Sequence, residues 1–203
     1  KGLVIDSYCK SRIKSKNIFG TIRHGTFQDI NWSADFYSGN LNFQSPGKAQ
    51  VTDMEAICPE IIIENNKIIL KSEIHTTRGL IKKEWIVDAS LDIIKLKYYL
   101  NWDNAGLGKL SIVPITLNPK FFDNSSLYFK ACNGSEKPEI FNINSLDIDH
   151  TKNVSFLVSS QHGLGMTDGK FVIGDNTNNI EIYFQPSKCA FLGQVLHKKI
   201  GGI

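Results

Sequence analysis

The stretch from Arg78 to Trp102 constrains the fold most strongly, because apolar and polar residues alternate along nearly all of it. Such a period of two, carried by branched and aromatic side chains, predicts β-strands with one face packed on a core. The short polar segment Asp88-Ala89-Ser90 predicts a turn and therefore an antiparallel hairpin. In the first strand, one face would carry Ile81, Lys83, Trp85 and Val87, and the other Lys82, Glu84, Ile86 and Asp88. In the second, one face would carry Ile94, Leu96, Tyr98, Leu100 and Trp102, and the other Lys95, Lys97, Tyr99 and Asn101.

The rest of the chain also has the patterns of strands and turns. Ser45-Pro46-Gly47, Asn65-Asn66 and Asn133-Gly134 are turn signals. Pro114 interrupts an apolar run, so that strand is expected at a sheet edge or with a bulge. No segment has a helical period over three turns. Further strands are predicted at residues 2–6, 18–22, 41–44, 61–64, 67–75, 110–117, 127–132, 140–143, 154–159, 171–173, 180–184 and 190–200.

Length and composition favour a single domain. The 203 residues, with 41% hydrophobic and 21% charged residues, can bury a sizeable core and do not suggest disorder. A seven-stranded immunoglobulin-type sandwich needs only about 100 residues. The prediction is an all-β domain over residues 1–203, a large two-sheet antiparallel β-sandwich. Since the chain begins at Lys1 rather than Met, one interpretation is a domain excised from a longer protein.

Charge and cysteine content argue against several classes of protein. The net charge is +3, and the one basic run, Lys10 to Lys16, is interpreted as a solvated loop, so no nucleic-acid partner is expected. The four cysteines are widely separated, which predicts free thiols in a reducing, cytoplasmic compartment. No apolar run is long enough to span a bilayer and no signal peptide is evident, so no membrane partner is expected.

The central hairpin resembles a strand pair of galactose-mutarotase-like β-sandwiches. The segments that carry the likeness are Ile81-Lys-Lys-Glu-Trp-Ile-Val87 and Ile94-Lys-Leu-Lys-Tyr-Tyr-Leu-Asn101. Asp35 to Gly39 and Gly163 to Gly169 are compatible with it. The chain is similar in this respect to the supersandwich domain that follows the catalytic barrel in glycoside hydrolases of families 57 and 38. The resemblance covers about Ile18 to Ile200 and implies a carbohydrate context, with a supporting role more often than a catalytic one.

Two segments could bind a sugar, which needs flat aromatic faces together with amides, carboxylates or imidazoles. The first lies between His24 and Asn40, and the second is Gln161-His162 before a glycine-rich turn. The alternative interpretation is that the aromatic residues belong to the core and the polar ones are only solvated. The candidate ligand-binding residues are His24, Asp29, Trp32, Asp35, Tyr37, Trp102 and His162.

Catalysis would require an acid and a base placed around the sugar. His75 with Glu84, or His24 with Glu84, could serve as such a pair in an epimerase or mutarotase. The alternative for Glu84 is a cross-strand ion pair. Asp147 to His150 lacks the spacing of a calcium loop, so neither a metal nor another cofactor is expected.

Three functional hypotheses remain open at this stage. The first is a non-catalytic, carbohydrate-associated sandwich of a glycoside-hydrolase-like protein, whose partners would be carbohydrate and an attached catalytic domain. The second is an aldose epimerase or mutarotase, which requires a His and a Glu converging in one pocket. The third is a structural or protein-interaction sandwich without a polar concavity.

Overall fold

A computed structural model of the chain describes residues 2–9, 17–22, 36–104, 106–144 and 146–198. Every strand pairing in these ranges is antiparallel, and no helix occurs in them. The prediction of an all-β, antiparallel chain is therefore confirmed. Contacts divide the described residues into two compact units, one ending at Leu117 and the other beginning at Asn118.

The first unit has three sheets among its described residues, in the strand orders β1-β2-β10, β4-β3-β9 and β5-β6-β7-β8. Its strands are β1 (Ser7–Tyr8), β2 (Phe19–Gly20), β3 (Leu41–Gln44), β4 (Val51–Thr52), β5 (Glu60–Glu64), β6 (Lys67–Thr76), β7 (Gly79–Asp88), β8 (Ile93–Trp102), β9 (Lys109–Ile112) and β10 (Thr116–Leu117).

The second unit has four sheets in the part of the chain that is described, in the orders β12-β11-β17-β18, β13-β20, β14-β15 and β16-β19. Its strands are β11 (Tyr128–Ala131), β12 (Glu139–Asn142), β13 (Ile148–Asp149), β14 (Asn153–Ser155), β15 (Val158–Gln161), β16 (Leu164–Gly165), β17 (Lys170–Gly174), β18 (Asn179–Tyr183), β19 (Leu192–Gly193) and β20 (Leu196–His197).

The central hairpin has the predicted form. Strands β7 and β8 pair over ten residues each, from Gly79 opposite Trp102 to Asp88 opposite Ile93. The loop that joins them, residues 89–92, is one residue longer than the predicted polar segment, and it ends at Asp92, whose φ is 52°. The Asn65-Asn66 turn between β5 and β6 is also as predicted, with a φ of 51° at Asn65.

One face of the β5-β6-β7-β8 sheet, the inner face, packs on the core of the first unit. Leu41, Ile74 and Ile81 are fully buried there, and Tyr98 and Trp102 pack against them. This burial removes apolar surface from water, which is the main favourable term in folding. The alternation along β7 thus grouped the core residues Ile81, Lys83 and Trp85 correctly on one face.

A lysine and an aspartate form an ion pair on this inner face, where both side chains are fully buried. The Nζ atom of Lys83 lies 2.8 Å from Oδ2 of Asp53 and also donates to the carbonyl of Gly2 at 2.9 Å. The Tyr98 hydroxyl lies 2.8 Å from the same carboxylate oxygen, and the Leu41 amide donates to Oδ1 at 2.8 Å. The Lys83 ammonium group and the Asp53 carboxylate are therefore hydrogen-bonded as well as paired within the apolar core.

Four strand predictions need correction. Residues 2–6 are not a strand, because Gly2 and Leu3 adopt φ of 57° and 48° and turn the chain, and β1 begins at Ser7. Residues 154–159 are not one strand, because β14 and β15 form a hairpin whose turn is Phe156-Leu157. The described part of the final strand predicted at residues 190–200 is reduced to the short strands β19 and β20. The apolar run before and after Pro114 divides between two sheets, because Val113 adopts a φ of 52° and redirects the chain.

Candidate functional site

The sequence-derived site residues fall in three places. His24, Asp29, Trp32 and Asp35 lie outside the described residues, as does the basic run at residues 10–16. Tyr37 is half-buried in the first unit. Trp102 is half-buried too and packs against Phe43 with ring centroids 5.3 Å apart, so it contributes to the core of the first unit.

His162 lies in the second unit beside a second histidine. The rings of His150 and His162 are 5.9 Å apart, and the Gln194 side-chain amide donates to the carbonyls of both residues. Burial, together with the neighbouring imidazole, lowers the pKa of His150, although Asp149 opposes this. No group of three or more metal-ligating side chains occurs within the described ranges.

His75 and Glu84, the proposed acid–base pair, lie on the same face of the sheet but far apart along the strands. His75 is opposite Leu80 in the β6–β7 register, whereas Glu84 is four positions further along β7. Four residues of strand span about 13 Å. Glu84 instead forms a cross-strand ion pair with Lys97, at 2.6 Å, which confirms the alternative interpretation for this residue.

The solvent-facing side of the β5-β6-β7-β8 sheet, which we call the outer face, carries charged residues in cross-strand rows. One row runs across all four strands with alternating sign. Opposite charges placed directly across an antiparallel pair stabilise a sheet. The members of this row, in strand order, are Glu60, Lys71, Glu84 and Lys97.

The adjacent row on the outer face is Glu73, Lys82 and Tyr99. Lys82 lies 2.5 Å from Glu73, and the hydrogen bond from its ammonium group lowers the pKa of the Glu73 carboxyl. Glu73 is thereby held as a carboxylate, which makes it a weak general base. Tyr99, at the end of the row, is 57% exposed.

The members of these two rows other than Lys97 line a shallow depression of about 530 Å³. Its wall combines an exposed phenol ring with carboxylates and ammonium groups that can accept and donate hydrogen bonds. Of these lining residues, sequence reasoning singled out Glu84 alone, because the rows form only when three or four strands are aligned in register. The lining residues are Ile57, Cys58, Glu60, Lys71, Ser72, Glu73, Lys82, Lys83, Glu84 and Tyr99.

A second depression, of about 470 Å³, surrounds Arg78 in the same unit. The guanidinium group donates to the Ser45 hydroxyl at 2.7 Å and to the Asn104 carbonyl at 3.1 Å, and it stacks on Phe43. These contacts hold the β6–β7 turn against neighbouring loops. The contacts of Arg78 therefore have a structural role.

Two further sequence expectations concern cysteines and membrane spans. All four cysteines are free thiols, as predicted; Cys132 is buried and the other three are exposed. In the described ranges, no helix has the length and apolar character needed to cross a membrane.

Comparisons of the chain with protein-family models, with curated proteins and with solved structures gave no significant match.

Proposed function

We propose that this chain is a carbohydrate-associated, non-catalytic β-sandwich domain, of the mutarotase-like supersandwich type, that binds saccharide on its outer face. The observation that carries the proposal is the position of Tyr99, an exposed aromatic ring at the edge of a depression lined by Glu73, Lys82 and Glu84. An aromatic ring can pack on the apolar C–H face of a sugar. The charged groups beside it can hydrogen-bond the sugar hydroxyls.

The arrangement supports binding better than catalysis. Glu73 and Glu84 are each paired with a lysine, and the pKa of Glu73 is lowered rather than raised towards neutrality. A carboxyl group that must donate or accept a proton near pH 7 needs a raised pKa. An epimerase reaction through His75 and Glu84 is therefore the weaker proposal.

Replacing Tyr99 by Ala should abolish most of the saccharide binding. Loss of one aromatic stacking partner, with about 1–2 kcal/mol of contact energy, corresponds to an affinity about 5- to 30-fold lower. A saturation-transfer NMR screen of the chain against mono- and oligosaccharides identifies a ligand, and a titration then compares the variants. A mutarotation assay on each ligand tests for turnover.

Tyr183 provides a matched control, because it is 65% exposed on β18 and lies beside the Lys170–Glu181 ion pair. Tyr183→Ala should leave saccharide affinity unchanged. Equal losses in the two variants would contradict a site at Tyr99, and turnover in the mutarotation assay would favour the epimerase hypothesis. No binding to any saccharide of the panel would favour the hypothesis of a structural or protein-interaction sandwich.

A further inference from the structure

The β14–β15 hairpin of the second unit ends in two large apolar residues that contact almost nothing. Phe156 and Leu157 form its turn and are 95% and 78% exposed. Directly behind the turn Ser155 pairs with Val158, which is 43% exposed, and Val154, one residue further back, is 46% exposed. The hairpin therefore presents an exposed apolar tip with two partly exposed valines close behind it.

The turn chemistry makes this tip unusual. Two-residue hairpin turns favour Asn, Gly and Asp, which accept positive φ and are polar. Phe156 and Leu157 both have negative φ, and the pairing next to them is irregular. Their side chains thus serve neither the turn nor a core within the described residues. A turn sequence that departs from these preferences, and whose side chains gain no packing in return, indicates a functional role.

The dimensions of the tip fit a lipid surface. Two strand residues span about 7 Å, so a tip with the two valines behind it has the depth of the boundary between lipid headgroups and acyl chains, which is about 5–10 Å. Ser155, level with Val158 next to the turn, and Ser159, one residue further back, carry hydroxyl groups that can hydrogen-bond the headgroups. A convex tip of this size needs no preformed pocket when it enters lipid.

The charge of the segment also favours an anionic lipid surface. Residues 150–167 contain no Asp or Glu, while Lys152 is exposed at the base of the hairpin. A cation near the surface of a membrane adds attraction to anionic headgroups.

We propose that the β14–β15 hairpin is a peripheral membrane anchor whose tip, Phe156-Leu157, inserts into an anionic lipid surface. The sequence expectation that no membrane is involved rested on the lack of a spanning segment, and a surface anchor needs none. This inference is independent of the saccharide proposal, because the hairpin and the outer face are in different units.

Vesicle co-sedimentation of the full chain tests the anchor. The probes are phosphatidylcholine vesicles with and without about one fifth phosphatidylserine. The chain should bind the anionic vesicles. The double variant Phe156→Ser/Leu157→Ser should bind them with an affinity at least about tenfold lower. Lys152→Gln should weaken binding to the anionic vesicles alone. Ile140→Ser is the matched control, because Ile140 is a 64% exposed apolar residue elsewhere in the same unit.

Three results would overturn the proposal. The first is no binding of the unmodified chain to either vesicle. The second is equal binding of the unmodified chain and the double variant, with both shown to be folded by amide hydrogen exchange. The third is self-association that depends on the tip in the absence of vesicles, measured by light scattering, together with no vesicle binding; this would assign the tip to a second copy of the chain.

Discussion

Replacing Lys83 by Met should lower the free energy of unfolding of the first unit by about 3–5 kcal/mol. The reason is that the Asp53 carboxylate, whose side chain is fully buried, would lose its cation and remain charged in the core. Burial lowers the pKa of Lys83, and Asp53 opposes that shift, so the ion pair is what keeps the buried ammonium group charged. Urea unfolding followed by tryptophan fluorescence measures the loss, since Trp85 and Trp102 are both in the first unit.

Two further variants make the Lys83 prediction specific. In Lys83→Met/Asp53→Asn, the uncompensated charge is removed, so the double variant should be more stable than Lys83→Met alone. Lys97→Met is the surface control: its exposed ion pair with Glu84 should contribute no more than about 1 kcal/mol. A double variant that loses the sum of the two single losses would contradict a coupled pair.

Replacing Asp175 by Asn should destabilise the second unit by about 2–3 kcal/mol. The Asp175 carboxylate is 5% exposed. It accepts backbone hydrogen bonds from Asp123, Thr177 and Asn178, each at 2.7 Å. An amide in its place can accept with only one of its two terminal atoms, so at least one buried donor is left unpaired. Urea unfolding followed by the amide NMR signals of β11 and β17 reports on this unit.

The same carboxylate makes the second unit sensitive to acid. Burial raises the pKa of Asp175, but hydrogen bonds from the backbone of Asp123, Thr177 and Asn178 outweigh it and lower the pKa to about 2. The unfolded chain has the ordinary value of about 3.9. The stabilisation is therefore complete above about pH 4–5 and is lost as pH falls through about 2. Stability of the Asp175→Asn variant should fall less over this range, and equal slopes would contradict the assignment.

The sequence predicted the central hairpin because its evidence is local. Alternation over ten residues per strand gives both the strand type and the two faces, and Lys83 was grouped correctly with Ile81 and Trp85 on one face. The role of Lys83 could not be predicted, since its partner Asp53 lies 30 positions earlier in a loop. Only the folded chain shows that the charge is paired rather than solvated.

The errors arose where local patterns are ambiguous. Residues 154–159 alternate as a strand does, and their turn lacks the Asn or Gly that would have predicted a hairpin. The outer face was missed for a different reason. Glu73, Lys82 and Tyr99 belong to three strands, and their common row depends on a register that a single sequence does not reveal.

The most direct test of the proposed function is a titration of the isotope-labelled chain with saccharide, followed by amide chemical shifts. We predict shifts concentrated on β6, β7 and β8, at Glu73, Lys82 and Tyr99, that saturate with ligand and need a several-fold higher ligand concentration to saturate in Tyr99→Ala. Saturable shifts confined to the second unit, or no shifts with any saccharide of the panel, would contradict a binding site on the outer face.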